Sequence, residues 1–335
     1  MKKALITGIT GMVGSHLTDF LLSETNWDIH GLMRWSENTE NIHHISKNIN
    51  NKNRVFLHNG DLNDLASLIN VVEKVKPDFV FHLAAQSYPK TSFVSPIETL
   101  ETNILGTCKL LESIRINKLD PKIHVCSSSE VFGKVPKENL PIQENESFHP
   151  ASPYAISKVG TDLIGRYYAE AYDMCIMTTR MFTHTGPRRG DVFAESTFAK
   201  QIAMIEAGYI KPVIHVGNLN SLRTWADVRD AVRAYYILLT NNPIPGEYYN
   251  IGGNFTCTVG EMLDQLIELS NVDNIEIKVD NDRLRLIDAD LQIPDISKFK
   301  KHTGWDPEIS FKQTMQDLLD YWRSKVKTNK EFLIR

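Results

Sequence analysis

The chain has 335 residues, 42% hydrophobic and 23% charged, the balance of a globular protein with one large or two intimate domains. A net charge of −4 offers no basic stripe for nucleic acid. No apolar run approaches the roughly 18 residues that a membrane span needs. The opening Met1-Lys2-Lys3 imitates the charged start of an export signal, but Gly8 and Gly11 interrupt the apolar stretch too early for one. The four cysteines, Cys108, Cys126, Cys175 and Cys257, form no Cys-x-x-Cys pair. They are expected as buried thiols of a reducing cytoplasmic compartment. The eleven histidines have no metal-ligand spacing, so no metal is expected.

Apolar runs predict strands at Lys3–Thr7, Trp27–Met33, Val55–Leu57, Phe79–Leu83 and Ile123–Ser127. Helical patterns near Val13–Leu22, Leu65–Lys74, Ile97–Ile116 and Pro153–Tyr172 lie between and after them. Continuous apolar strands separated by helices imply a parallel sheet covered on both faces, which Met174–Thr179 extends. The Asn/Lys-rich stretch Asn48–Arg54 reads as a surface loop. Beyond about Thr183 the pattern loosens, with helices at Ala226–Leu239 and Val259–Leu269. The expected fold class is α/β, a doubly wound parallel Rossmann sheet with a smaller, interleaved C-terminal α/β substrate domain. Residues 1–182, with parts of 213–252, form the dinucleotide domain in this reading, and 183–335 most of the substrate domain.

Where the first strand meets the first helix, glycines stand at 8, 11 and 14 in Thr7-Gly8-Ile9-Thr10-Gly11-Met12-Val13-Gly14. Glycine there permits a tight turn and a close backbone approach to a pyrophosphate at the positive end of a helix. Gly8, Thr10, Gly11, Met12, Val13 and Gly14 are therefore candidate cofactor contacts. After the second strand, where a NAD site usually has an acid, this chain has Arg34-Trp35-Ser36. Arg34 and Ser36 suit a 2′-phosphate, which favours NADP over NAD. Asp61 and Leu62 follow the third strand, toward the adenine. Leu83, Ala84 and Ala85 follow the fourth, where the cofactor ribose is expected.

The fifth strand ends in Ser127-Ser128-Ser129-Glu130, and Ser152-Pro153-Tyr154-Ala155-Ile156-Ser157-Lys158 opens the long helix. Ser152 suits an N-cap and Pro153 the first helical position, leaving Tyr154 and Lys158 one turn apart on one face. A free phenol titrates near 10, so lowering it by about 3 units takes roughly 4 kcal/mol. The Lys158 ammonium and a positive nicotinamide are the expected source. Tyr154 is then the general base, Lys158 also holds the nicotinamide ribose, and Ser128 bonds the substrate oxygen.

With TGxxGxxG, a serine after the fifth strand and YxxxK in this order, the chain resembles the extended short-chain dehydrogenase/reductase family over nearly its whole length. Its members oxidise or reduce nucleotide-sugar carbons and then diverge into epimerases, dehydratases, decarboxylases and reductases. Ser127-Ser128-Ser129-Glu130-Val131-Phe132-Gly133 is similar to the (S/T)-T-(S/D)-E-(V/L)-Y-G segment of nucleotide-sugar 4,6-dehydratases. The resemblance implies that Glu130 removes the carbon 5 proton, with Ser128 and Ser129 beside it. His184–Phe193 resembles the HESPRRGETF segment of GDP-mannose 4,6-dehydratases, and Val216–Trp225 their LGNxxSLRDWG segment. His82–Ser87 matches them as well, and Arg34–Thr39 resembles a loop that joins their subunits. By this resemblance Ser87, Ser128, Thr183, Arg189, Asn218, Arg223 and Arg285 contact a GDP-sugar, the two last gripping its diphosphate.

Several positions depart from that group. Thr183 stands where the family has asparagine, and Gly11-Met12-Val13-Gly14 replaces Gly-Gln-Asp-Gly. Thr303–Pro307 resembles reductases that act on GDP-4-keto-6-deoxymannose. The resemblance thus implies a GDP-sugar 4,6-dehydratase of the mannose or manno-heptose type, working as a homodimer or homotetramer. A 4-keto reductase, or a carbon 4 dehydrogenase or epimerase, is the alternative. A binding protein that has lost the chemistry conflicts with the intact Ser128, Tyr154 and Lys158.

Overall fold

In the computed structural model, which describes residues 1–283 and 289–328, strands and helices alternate through the first half. In order they are β1 (Lys3–Thr7), α1 (Met12–Glu24), β2 (Asp28–Met33), α2 (Ser46–Asn50), β3 (Val55–Asn59), α3 (Leu65–Val75) and β4 (Phe79–His82). Then come α4 (Pro89–Val94), α5 (Pro96–Leu100), α6 (Gly106–Ile116), β5 (Lys122–Cys126), α7 (Pro153–Tyr172) and β6 (Ile176–Met181). The second half carries β7 (His184–Thr185), α8 (Ala194–Glu206), β8 (Val213–Val216), β9 (Leu222–Asp227), α9 (Val228–Thr240) and β10 (Tyr248–Ile251). It ends with β11 (Phe255–Thr258), α10 (Val259–Glu268), β12 (Glu276–Val279), β13 (Leu291–Gln292), α11 (Ser297–Thr303) and α12 (Phe311–Thr328).

Seven strands form one parallel sheet in the order β10-β6-β5-β4-β1-β2-β3. The chain reverses direction across the sheet between β1 and β4. A doubly wound sheet opens a crevice beyond the carboxyl ends of its strands at such a point. One face packs on α1 and α9, with Leu17, Leu21, Tyr235 and Leu238 buried. The other packs on α3, α6 and α7. A separate core gathers α8, α10 and α12 around Trp225, Met262 and Trp322. The second half therefore serves both bodies: α9, β10 and residues Phe299 and Trp305 belong to the first core.

Several expectations change in detail. The Asn48–Arg54 stretch begins inside α2, and Arg54 is no solvated charge. Its guanidinium donates to the main-chain oxygens of Leu21, Leu22, Thr25 and Trp27, closing the end of α1. The helix expected over Ile97–Ile116 is α5 and α6 joined by a wide turn at Glu101–Leu105. Ala226 and Asp227 belong to β9, and the Asp227 carboxylate caps α9 by accepting from Arg229 N–H. All four cysteines are free thiols, but Cys108, Cys126 and Cys175 are half-buried rather than buried.

Helix α7 is pinned to the sheet by a buried ion pair. Arg180 on β6 donates to both Asp162 oxygens on α7, at 2.8 and 3.1 Å, and to the Glu144 main-chain oxygen at 2.6 Å. Both side chains are 1% exposed or less. Replacing Arg180 with Met leaves the Asp162 charge buried, with Arg166 at 3.9 Å its remaining partner. Urea unfolding is expected to show a loss of about 3–5 kcal/mol. A loss under about 1 kcal/mol would mean that Arg166 takes over the pair.

Candidate active site

A cleft of about 1550 Å³ runs from the β1–α1 turn to β9. That exceeds the 300–1,000 Å³ usual for one small ligand and leaves room for two. Gly8 has φ +74°, and a side chain there would meet the Ala84 backbone at 3.0 Å. The ends of β1 and β4 are this close because Thr7 Oγ1 accepts from both Leu83 N–H and Ala84 N–H at 3.1 Å. Gly14 is equally constrained, since a Cβ would lie 2.2 Å from the Gly8 carbonyl oxygen. Helix α1 has Gly11 as its N-cap, with no side-chain cap. Its first amides thus remain available to an anion, unlike those of α7, where Ser152 Oγ accepts from Ala155 N–H at 3.0 Å. The residues fit a dinucleotide.

Along the nucleotide wall, Thr10, Met12, Val13, Arg34, Asp61, Leu62, Ala84 and Ala85 all line the cleft. Ser36 does not. The Glu37 N–H bonds the Arg34 carbonyl oxygen at 3.1 Å, closing a tight turn that leaves Ser36 exposed. Glu37 lines the cleft in its stead and pairs with Arg34.

At the other end the cleft brings together Ser128, Ser129, Glu130, Tyr154 and Lys158. Lys158 Nζ donates to the Cys126 main-chain oxygen at 2.8 Å, and Ser127 Oγ donates to the Lys158 main-chain oxygen at 3.0 Å. Ser128 caps a one-turn helix over Ser129–Val131 by accepting from Glu130 N–H at 3.2 Å. Glu130 is 15% exposed and faces Arg223 of β9 at 3.8 Å, across the cleft. An ordinary solvated loop carboxylate would be far more open.

The electrostatics of Tyr154 differ from the expectation. Burial drives the phenol well above its usual range, and the Ser128 hydroxyl and Arg189 work against it. Lys158 turns its ammonium to the Cys126 carbonyl at 2.8 Å and lies 6.0 Å from the centre of the Tyr154 ring, and burial lowers its own pKa. Arg189, expected on the substrate, is thus also an electrostatic neighbour of the phenol. It is held by Glu195 at 2.9 Å and lies over the Phe193 ring at 3.4 Å.

Ser87, Thr183, Asn218 and Arg223 line the cleft as well. Asn218 is partly committed to its own turn, since its amide donates to Ser221 Oγ and its Oδ1 accepts from Asn220 N–H. Arg285 lies outside the described residues.

The site also uses residues that motif reading missed. His184 lies in the cleft with Nδ1–H on the Phe182 carbonyl oxygen, and burial and Arg189 lower it to about 4, so it is neutral at pH 7. Asn103 sits on the wide turn before α6. Its Oδ1 accepts from Gln86 N–H, and its amide donates to the Gln86 carbonyl oxygen and to Ser157 Oγ, at 2.8 to 3.0 Å. A lone asparagine inside an apolar helical run was the available signal. Tyr321, Trp322 and Lys325 reach the cleft from α12.

Residues 5–318 match the family model described as GDP-mannose 4,6 dehydratase. The chain belongs to the GDP-mannose 4,6-dehydratase family. The GDP-mannose 4,6-dehydratase of Yersinia enterocolitica is 34% identical, covering 95% of this chain and 93% of that one. GDP-mannose 4,6 dehydratase 2 of Arabidopsis thaliana is 36% identical over 95% and 86% of the two chains. Among solved structures, RMD of Pseudomonas aeruginosa complexed with NADPH superposes with a TM-score of 0.83 at 28% identity, covering 97% of this chain and 100% of that one.

The glycine loop of this family member gives a direct test. Gly8→Ala forces alanine into a left-handed conformation against the Ala84 backbone. A stability loss of about 1–2 kcal/mol is expected by thermal unfolding, together with weaker dinucleotide binding in a fluorescence titration. Unchanged values for both would show that the β1–α1 turn can relax.

Proposed function

We propose that this chain is a GDP-sugar 4,6-dehydratase that holds NADP. The reading is carried by Glu130, enclosed in the same cleft as Ser128, Tyr154 and Lys158 and facing Arg223. An enzyme that only exchanges hydride at carbon 4 has no use for a carboxylate there. Bound NADP would supply the hydride acceptor for carbon 4 and the hydride donor for carbon 6, with no net consumption of cofactor.

Tyr154 takes the proton of the carbon 4 hydroxyl while Ser128 bonds the same oxygen. Because burial keeps the phenol's pKa high, deprotonation draws on the Ser128 hydroxyl, on Arg189 and on the cationic cofactor ring. The ketone formed at carbon 4 acidifies the neighbouring carbon 5 proton. Glu130 takes that proton and passes one to the departing carbon 6 hydroxyl, which leaves as water. When hydride returns to carbon 6, carbon 5 takes the proton held by Tyr154, which exchanges with solvent, and the phenolate is restored. Lys158 orients the nicotinamide ribose, and Arg189 and Arg223 receive the nucleotide diphosphate. The uncapped amides of α1 and the remaining glycine-loop residues hold the cofactor pyrophosphate, Arg34 its 2′-phosphate.

Residues 1–182 with α9 and β10 are read as the dinucleotide lobe, and most of the remaining second half as the sugar-nucleotide lobe. We further infer a homodimer. Ile156, Leu163 and Tyr167 on α7 are 47–57% exposed beside exposed Ile97 and Leu105, an apolar face suited to a second copy. No helix among the described residues is long and apolar enough to cross a membrane. A cytoplasmic location is the reading that suits four free thiols.

Proton NMR in deuterated water, with GDP-mannose or GDP-manno-heptose and catalytic NADP⁺, tests the reaction. A deoxygenated carbon 6 with deuterium at carbon 5 is expected. Turnover that needs stoichiometric NADPH and a 4-keto sugar would transfer the assignment to a reductase. Glu130→Gln is expected to cut water loss by about 10²–10⁴-fold while leaving NADP affinity unchanged. Full activity in that variant would remove the basis for a dehydratase.

Arg189→Met removes a cation that lowers the phenol's pKa, so that pKa rises further. A rate that depends on the phenolate then falls at neutral pH, and its rising limb moves to higher pH. Profiles of kcat/KM against pH for the wild type, the Met variant and a charge-retaining Lys variant check the sign. A limb unmoved in the Met variant would leave Arg189 a substrate contact alone.

A further inference from the structure

The turn after β2 does more than offer one cation. Glu37 folds back onto Arg34 and engages it through two contacts, Nε to Oε2 at 2.8 Å and Nη2 to Oε1 at 3.4 Å. Both residues line the cleft. Asp61 and Glu98 add negative charge around the same guanidinium, which binds its proton more tightly as a result of Glu37 first and these two afterwards. Glu40, three residues on, is itself paired with Lys325 of α12 at 2.9 Å.

Two ribose chemistries meet this surface differently. A 2′-phosphate carries close to two negative charges at pH 7 and must share Arg34 with the Glu37 carboxylate or displace it. A 2′-hydroxyl is a donor and needs an acceptor, which Glu37 supplies. The pair therefore presents a cation to one cofactor and an acceptor to the other, on one turn.

Building on the assignment of this cleft to NADP, we propose that Glu37 is a specificity-determining residue. It weakens the hold of Arg34 on a 2′-phosphate and accepts the 2′-hydroxyl of NAD, so that the chain binds both dinucleotides within a narrow range of affinity. The Arg34 and Glu37 side chains are 60% and 29% exposed, so exchanging either does not disturb the core.

The test is isothermal titration of the purified full chain, stripped of nucleotide, with NADP⁺ and with NAD⁺. Wild type, Glu37→Gln and Arg34→Leu are compared, with thermal unfolding to confirm that each is folded. Glu37→Gln is expected to tighten NADP⁺ and loosen NAD⁺, moving their affinity ratio about tenfold or more toward NADP⁺. Arg34→Leu is expected to move it about tenfold the other way. A ratio in Glu37→Gln within about twofold of wild type, with Arg34→Leu behaving as expected, overturns the role of Glu37 and leaves the cofactor assignment standing. If Arg34→Leu also leaves the ratio unmoved, Arg34 is not the 2′-phosphate contact and the underlying assignment falls with the proposal.

Discussion

Two hydrogen bonds running in opposite directions between β5 and α7 support the whole site. Lys158 sends its ammonium to the carbonyl of Cys126, and Ser127 sends its hydroxyl to the carbonyl of Lys158. Lys158 is 6% exposed, so its charge needs an acceptor, and a main-chain oxygen at the end of a central strand cannot drift away from it. The lock sets the distance between strand end and helix. Ser128 and Glu130 then come directly after it on one side, and Tyr154 stands one turn back on the other.

The floor of the cleft is built in the same manner throughout. Thr7 joins the ends of β1 and β4, and Asn103 joins the loop after β4 to Ser157 of α7. These are short bonds between groups that are buried or half-buried, where losing a partner costs about 1–3 kcal/mol. The walls are different. Lys325 meets Glu40 and Arg188 meets Asp19 between segments far apart in the chain, and the two carboxylates are 51% and 31% exposed. Exposed pairs contribute about 0–1 kcal/mol each. A large cofactor and a sugar nucleotide can thus part the walls without disturbing the floor that aligns the reacting groups.

This difference also governs how much could be read from the sequence. The strands of the first lobe, the glycine turn, the capped start of α7 and the Tyr154–Lys158 spacing are local patterns, and each stands within a few residues of its expected place. Helix α12, absent from the predicted elements, carries an equally local signal: Phe311, Met315, Leu318, Leu319, Trp322 and Val326 keep helical spacing and are buried. The fate of Ser36 and Glu37 was not local in that sense. Which of two neighbours faces the cleft depends on a turn closed by one backbone bond, and no periodicity reports it. The company of Tyr154 was hidden for a related reason. Lys158 is its neighbour along the helix, yet a second cation that lowers the phenol's pKa, Arg189, comes from the segment after β7.

The reaction class and the choice of sugar rest on different kinds of structure. Glu130 is aimed by a turn whose geometry is specified within a handful of residues. Ser128 caps it, and Gly133 ends it at φ +55°, where a side chain would collide with the His149 carbonyl. On that turn the Glu130 carboxylate faces Arg223 across the cleft, so the motif that contains it also places it. The residues proposed to meet the sugar lie on segments from both lobes, among them Thr183 after β6 and Asn218 in the β8–β9 turn, both lining the cleft. Thr183 offers a hydroxyl where the resembling family has an amide, and Asn218 spends part of its amide on its own loop. Their combined shape depends on how two cores pack, so the sequence speaks more clearly about the bond to be broken than about the sugar that carries it.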